Sequence, residues 1–125
     1  MKHTYLFLIS FFFLPNIYSQ QSDYLRASRS ALNSALYPFY HGVASGDPLA
    51  DRVIIWPRIT LDPVVDPVMV NWEIATDTTF SSIVNSGSVF TDSTKDYTVK
   101  VDATGLQAGT WYYYRFGYSG YKSVT

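Results

Sequence analysis

FYHGVASGDPLADRVIIWPR, residues 39–58, is where the chain commits to extended structure. Gly42 to Ser45 is a run of small residues that suits a short, flat first strand. At Asp47-Pro48 the proline ring fixes φ and the short Asp side chain can bond nearby backbone, so the chain turns. Arg52 to Trp56 is then a densely apolar second strand, closed by Pro57-Arg58. Strand alternation puts Ile54 and Trp56 on one face and Val53 and Ile55 on the other. Both faces are apolar, which predicts a strand covered on both sides, with Trp56 in the core.

Downstream, Leu61 to Pro67 reads as a loop containing Pro63 and Pro67. Val68, Val70, Trp72 and Ile74 alternate with Met69, Asn71, Glu73 and Ala75, the period of a half-buried strand. Asp77 to Ser81 turns, with Phe80, Ile83 and Val84 expected to pack back onto the core. Asn85-Ser86-Gly87 carries a hairpin-turn signal, with Ser88 to Thr91 as the returning strand. Asp92 to Lys95 turns again, and Tyr97, Val99 and Val101 alternate inward. Short strands separated by turns, with no helical period between them, predict an all-β antiparallel sandwich.

The run at 39–58 resembles the opening of the N-terminal domain of the alkaline phosphatase D (PhoD-like phosphatase) family. The resemblance rests on Phe39, the GVASGDP run from Gly42 to Pro48, and the apolar strand ending in Trp56 and Arg58. Pro57 stands where that family has Thr. Further on, Leu106-Gln107-Ala108-Gly109-Thr110-Trp111-Tyr112 resembles the Leu-x-Pro-Gly-Thr-x-Tyr turn of fibronectin type III domains, with Ala108 in place of Pro. That likeness gives Tyr112 the role of the tyrosine corner, its hydroxyl bonding backbone upstream. Tyr114 and Phe116 then continue the inner face, with Trp111, Tyr113 and Arg115 outside.

The resemblance implies an Ig/fibronectin type III-like sandwich over residues 39–125. Its structural motif would be Gly42, Gly46, Asp47, Pro48, Trp56, Arg58, Trp72 and Tyr112. The last strand, around Lys122 to Thr125, would be incomplete and leave a sheet edge open. It also implies a non-catalytic module of an exported phosphomonoesterase or phosphodiesterase. The metal ions of that chemistry, such as calcium and iron, would sit in a metallophosphatase domain lying C-terminal to this one. This chain would then hold no cofactor, be inactive alone, and have that domain as its partner.

Composition agrees with a β-rich domain. Of 125 residues, 47% are hydrophobic and 18% aromatic, with eleven tyrosines and three tryptophans. A net charge of -1 and the lack of any Lys/Arg run argue against a nucleic-acid groove or an anionic membrane surface. Met1 to Ser19 reads as a secretory signal peptide: Lys2, an apolar run from Tyr5 to Leu14 too short for a comfortable membrane span, and small Ser19 before the cut. With no Arg pair, the expected route is Sec-type export to the periplasm or exterior, with no membrane attachment after cleavage. Zero cysteines exclude a lipoprotein anchor, disulfides and thiolate metal sites. Residues 20–38 form a leader, read as either a flexible tether or a short helix capped at Ser22-Asp23 and stopped by Pro38.

Few residues suggest chemistry. His41, Ser45 and Asp47 are the triad residue types, but one short turn does not converge them, and Ser45 lacks the Gly-x-Ser-x-Gly elbow. Asp47 and Asp51 lack the spacing of a calcium loop, and Glu73 is the only glutamate. The surplus lies in outward apolar residues. Trp111, Tyr113 and Met69, with Val53 and Ile55 as further outward candidates, are expected to form a surface that docks the catalytic domain. The alternative is a free-standing secreted binding module for protein or carbohydrate, in which such aromatics would stack on sugars.

Overall fold

A computed structural model describes residues 31–125; the expected signal peptide at Met1 to Ser19 and the expected cap at Ser22-Asp23 lie outside the described residues. Seven strands form two antiparallel sheets. They are β1 (Val43–Gly46), β2 (Arg52–Pro57), β3 (Val68–Ala75), β4 (Ile83–Thr91), β5 (Val101–Thr104), β6 (Tyr113–Tyr118) and β7 (Tyr121–Lys122). One sheet has the order β1-β2-β5, the other β4-β3-β6-β7. The only helical pieces among the described residues are single 3-10 turns at Ser34–Leu36 and Ser93–Lys95.

The core is where the inner faces of the sheets meet. Val68, Val70, Trp72 and Ile74 of β3 are all buried, as their alternation requires, and with Phe116 of the neighbouring strand they pack against Ile55, Val99, Val101 and Ala103. The inward phase of β2 continues past its end: Ile55, Pro57, Ile59 and Leu61 are all buried, two residues apart. Backbone bonds from Val99 N to Pro57 O and from Ile59 N to Tyr97 O carry the pairing along. Pro38 and Phe39 are also buried, so the end of the leader segment belongs to the core. Thr60 N donates to Pro38 O at 3.0 Å and holds it there.

Three sequence expectations are corrected. Trp56 is not a core residue: it is 36% exposed, on the outer face of β2, and Ile55, an outward candidate in the sequence, is fully buried instead. The parity of Trp56 is that of Arg52, whose guanidinium pairs with Asp51 and Asp102 in solvent. A strand that sends Arg52 outward must send Trp56 outward too. The second correction concerns Asn85-Ser86-Gly87, which lies within β4 rather than at a turn. Gly87 sits opposite Trp72, where a Cβ would meet the indole Nε1 at 2.9 Å. The reversal is instead built by Asp77, whose carboxylate accepts from the backbone N–H groups of Thr79, Ser81 and Ser82. Those bonds, led by the one from the Thr79 hydroxyl, hold the Asp77 carboxyl well below the usual carboxylate range. The third correction is that Ile83 and Val84 are exposed; only Phe80 of that group is buried.

β4 and β7 are the edges of the larger sheet. The nine residues of β4 carry no charge. Asn85 Nδ2 donates across the gap to Thr104 O on the other sheet at 2.7 Å, and its Oδ1 accepts from Ser86 N at 2.8 Å. Thr91, fully buried, donates its hydroxyl to Thr98 O. On the other edge, β7 pairs with β6 at two positions, Gly117↔Lys122 and Tyr118↔Tyr121.

Candidate functional site

The motif residues run the length of the β1–β2 pair, and Gly46, Asp47, Pro48 and Tyr112 gather at one end of the sandwich. Gly42 takes φ 74°, a left-handed conformation that glycine adopts without strain, and leads into β1. Gly46 closes β1 beneath the Trp56 ring, whose Cη2 would lie 3.0 Å from any Cβ there. Asp47 takes φ 51° and turns the chain into the exposed Pro48-Leu49 loop, where Leu49 N donates to Arg52 O. Across from this loop, Gln107 N donates to the Tyr112 hydroxyl at 3.0 Å. That bond closes the turn around Gly109, which has φ 71°. Leu106 N donates to Asp51 O at 2.9 Å and ties the two loops together.

Between these loops the sheets part and leave a groove of about 440 Å³. Val53 of one sheet and Ile74 and Tyr114 of the other line it, and Trp111 and Leu49 stand at its mouth. Trp111 is 86% exposed and Leu49 66%, the two most exposed large apolar side chains among the described residues, and they line one groove.

The three residues expected to share a docking surface do not. Met69 is exposed and pairs with Phe90 at one end of the larger sheet, whereas Tyr113 pairs with Ala75 at the other. Met69 and Ala75 are six positions apart on β3, about 20 Å at the rise of an extended strand. Between them Glu73 accepts from Arg115 at 2.7 Å and from Lys122 at 3.2 Å. The Arg115 bond, helped by Lys122, holds the Glu73 carboxyl below its usual range. The Arg115 guanidinium lies 3.8 Å from the centre of the Phe80 ring. This charged ladder divides the sheet face. Tyr113 is half-buried, so of the three only Trp111 stands at the groove.

Among the described residues no hydrogen bond joins His41, Ser45 and Asp47. His41 is engaged by Arg58, whose Nη1 donates to Nε2 at 2.7 Å, and lies 3.0 Å from the Thr60 hydroxyl. Arg58 also grips Asp96 through two bonds of 2.8 Å, which lower the Asp96 carboxyl and raise the guanidinium. Arg58 therefore fastens the strand before the core loop to the turn before β5. Among the described residues no group of three or more His, Asp or Glu side chains could hold a metal ion. Calcium or iron has no fitting site among them. Sequence reasoning missed the groove and Leu49, because the meeting of two loops distant in the chain carries no local signal.

Comparison with known proteins places this arrangement. Residues 25–125 match the family "PhoD-like phosphatase, N-terminal domain". Over 93 residues the chain is 42% identical to alkaline phosphatase D of Bacillus subtilis (strain 168), covering 70% of this chain and 16% of that protein. The solved structure of PhoD shares the fold with a TM-score of 0.67 at 40% identity, covering 75% of this chain and 19% of that one. The chain thus spans 16% of the length of the curated relative it matches.

Proposed function

Because this chain belongs to the family of PhoD-like phosphatase N-terminal domains, we propose that it is the accessory β-sandwich of an exported, alkaline phosphatase D-like phosphomonoesterase or phosphodiesterase. It supports a metallophosphatase domain and does no ester chemistry itself. The observation that carries this reading is where the likeness falls: the family matched is that of the N-terminal domain, and the likeness takes in 16% of alkaline phosphatase D. Phosphoester hydrolysis by a metal-bound hydroxide needs several carboxylate, histidine or amide ligands converging on the ion. Asp77 and Asp92 are instead engaged in turns, and Asp51, Glu73 and Asp96 in surface ion pairs. The sequence of Met1 to Ser19, with Lys2 before an apolar run, supports export. No described helix is long and apolar enough to cross a membrane.

The purified 125-residue chain, assayed with p-nitrophenyl phosphate and bis-p-nitrophenyl phosphate plus Ca²⁺ and Fe³⁺, is expected to give no turnover above the metal blank. Metal-dependent turnover that follows the protein through purification would overturn the reading.

A further inference from the structure

The groove end of the sandwich differs from the rest of the surface in three ways. It gathers the most exposed large apolar side chain among the described residues, Trp111, with Leu49 from a separate loop. It opens into the interior, since its floor is Val53 and Ile74. Its β5–β6 loop, Gly105 to Tyr112, carries no charge. That loop complements an apolar partner, and on the facing loop Asp51 is already paired with Arg52.

The path of the backbone says which partner reaches it. β7 runs antiparallel to β6, and Ser123 N donates to Phe116 O while Phe116 N donates to the Ser123 hydroxyl. Beyond Lys122 the chain therefore travels back along β6 toward Tyr113, and so toward Trp111. The relatives are several times longer than this domain. In a protein of that plan, the polypeptide that follows the sandwich emerges at the groove end.

We propose that the two loops at this end, Asp47–Arg52 and Gly105–Tyr112, are the docking surface for the metallophosphatase domain of such a protein, with Trp111 as the anchor and Leu49 beside it. The inference rests on the accessory-module reading above. It assigns no docking role to the Met69–Phe90 patch, which lies beyond the Glu73–Arg115–Lys122 ladder.

The test is hydrogen–deuterium exchange on two proteins. One is the 125-residue chain. The other is full-length alkaline phosphatase D of Bacillus subtilis with residues 39–125 of this chain replacing the matching segment. Exchange at 47–52 and 105–112 is expected to slow about tenfold or more in the chimera, by the free energy of excluding solvent from those loops. Exchange at 83–91 should stay unchanged. Trp111→Ser with Leu49→Ser should abolish that slowing, while Met69→Ser with Phe90→Ser should preserve it. Neither pair should shift the melting temperature of the 125-residue chain by more than a few degrees, because all four side chains are exposed. Protection confined to 83–91 or to the Met69 region, or none anywhere, would overturn the docking site and leave the accessory role standing. Metal-dependent turnover by the 125-residue chain would overturn the accessory role itself.

Discussion

Gly87→Ala is expected to destabilise the domain, although alanine ordinarily improves a strand. Gly87 has no left-handed φ, so the usual gain from replacing glycine, about 0.5–1 kcal/mol, is available there. Against it stands the Trp72 indole. An added Cβ would lie 2.9 Å from Nε1 and 3.1 Å from Cε2 and Cζ2, inside contact distance. Trp72 is 8% exposed and packed in the core, so the ring has nowhere to move. Overpacking of this kind costs about 1–3 kcal/mol, which leaves a net loss of about 1.25 kcal/mol when the mid-range glycine gain is subtracted from the mid-range cost. For a domain of this size that lowers Tm by roughly 5–10 °C.

The matched control is Gly46→Ala, where the neighbour is the tip of the Trp56 ring at 3.0 Å. That ring is 36% exposed and can swing outward, so the change should stay within about 0.5 kcal/mol of neutral. Urea unfolding followed by circular dichroism gives both values. Trp72→Phe shortens the ring, and in that background Gly87→Ala should lose its penalty, giving a coupling of about 1–2 kcal/mol. A Gly87→Ala protein as stable as its parent would refute the packing argument, as would a penalty unchanged in the Trp72→Phe background.

The two strand tryptophans should separate sharply: Trp72→Ala should cost about 3–5 kcal/mol and Trp56→Ala about 1 kcal/mol, by urea unfolding, and equal costs would contradict their placement. Tyr112→Phe removes the acceptor of Gln107 N and should lower stability by about 0.5–1.5 kcal/mol; an unchanged urea midpoint would remove the tyrosine corner from the account. Asp77 has a depressed pKa in the folded chain, so its contribution is present above the unfolded value of about 4 and is lost as pH falls below it. Asp77→Asn should therefore melt lower than the parent at pH 6, with the gap narrowing as pH falls toward 2; a gap independent of pH would contradict the turn's dependence on the carboxylate.

Much of the sandwich is legible in residue parity alone. Val68 to Ile74 alternate without interruption, and each inward position is buried. Tyr112 is legible for another reason: a turn of fixed length places its hydroxyl over Gln107 N whatever surrounds it. Trp56 misleads because size suggests burial, while the phase of β2 is set by Arg52, Ile55 and Pro57 together. Gly87 misleads because Asn-Ser-Gly has turn chemistry, and only the indole across the sheet explains why glycine is there. Ile59 and Leu61 continue the inward period of Ile55, yet the prolines around them suggest a loop. The groove is illegible locally, since Leu49 and Trp111 meet only through the bond from Leu106 N to Asp51 O.

Asn85 has a consequence for how this molecule behaves when crowded. A nine-residue border strand without a lysine or a proline is a template on which a second molecule can zip. The Asn85 amide answers this twice, occupying the Ser86 N–H that a foreign chain would seek and lacing the border to the opposite sheet at Thr104. One uncharged side chain thereby does the gatekeeping that other border strands assign to charge.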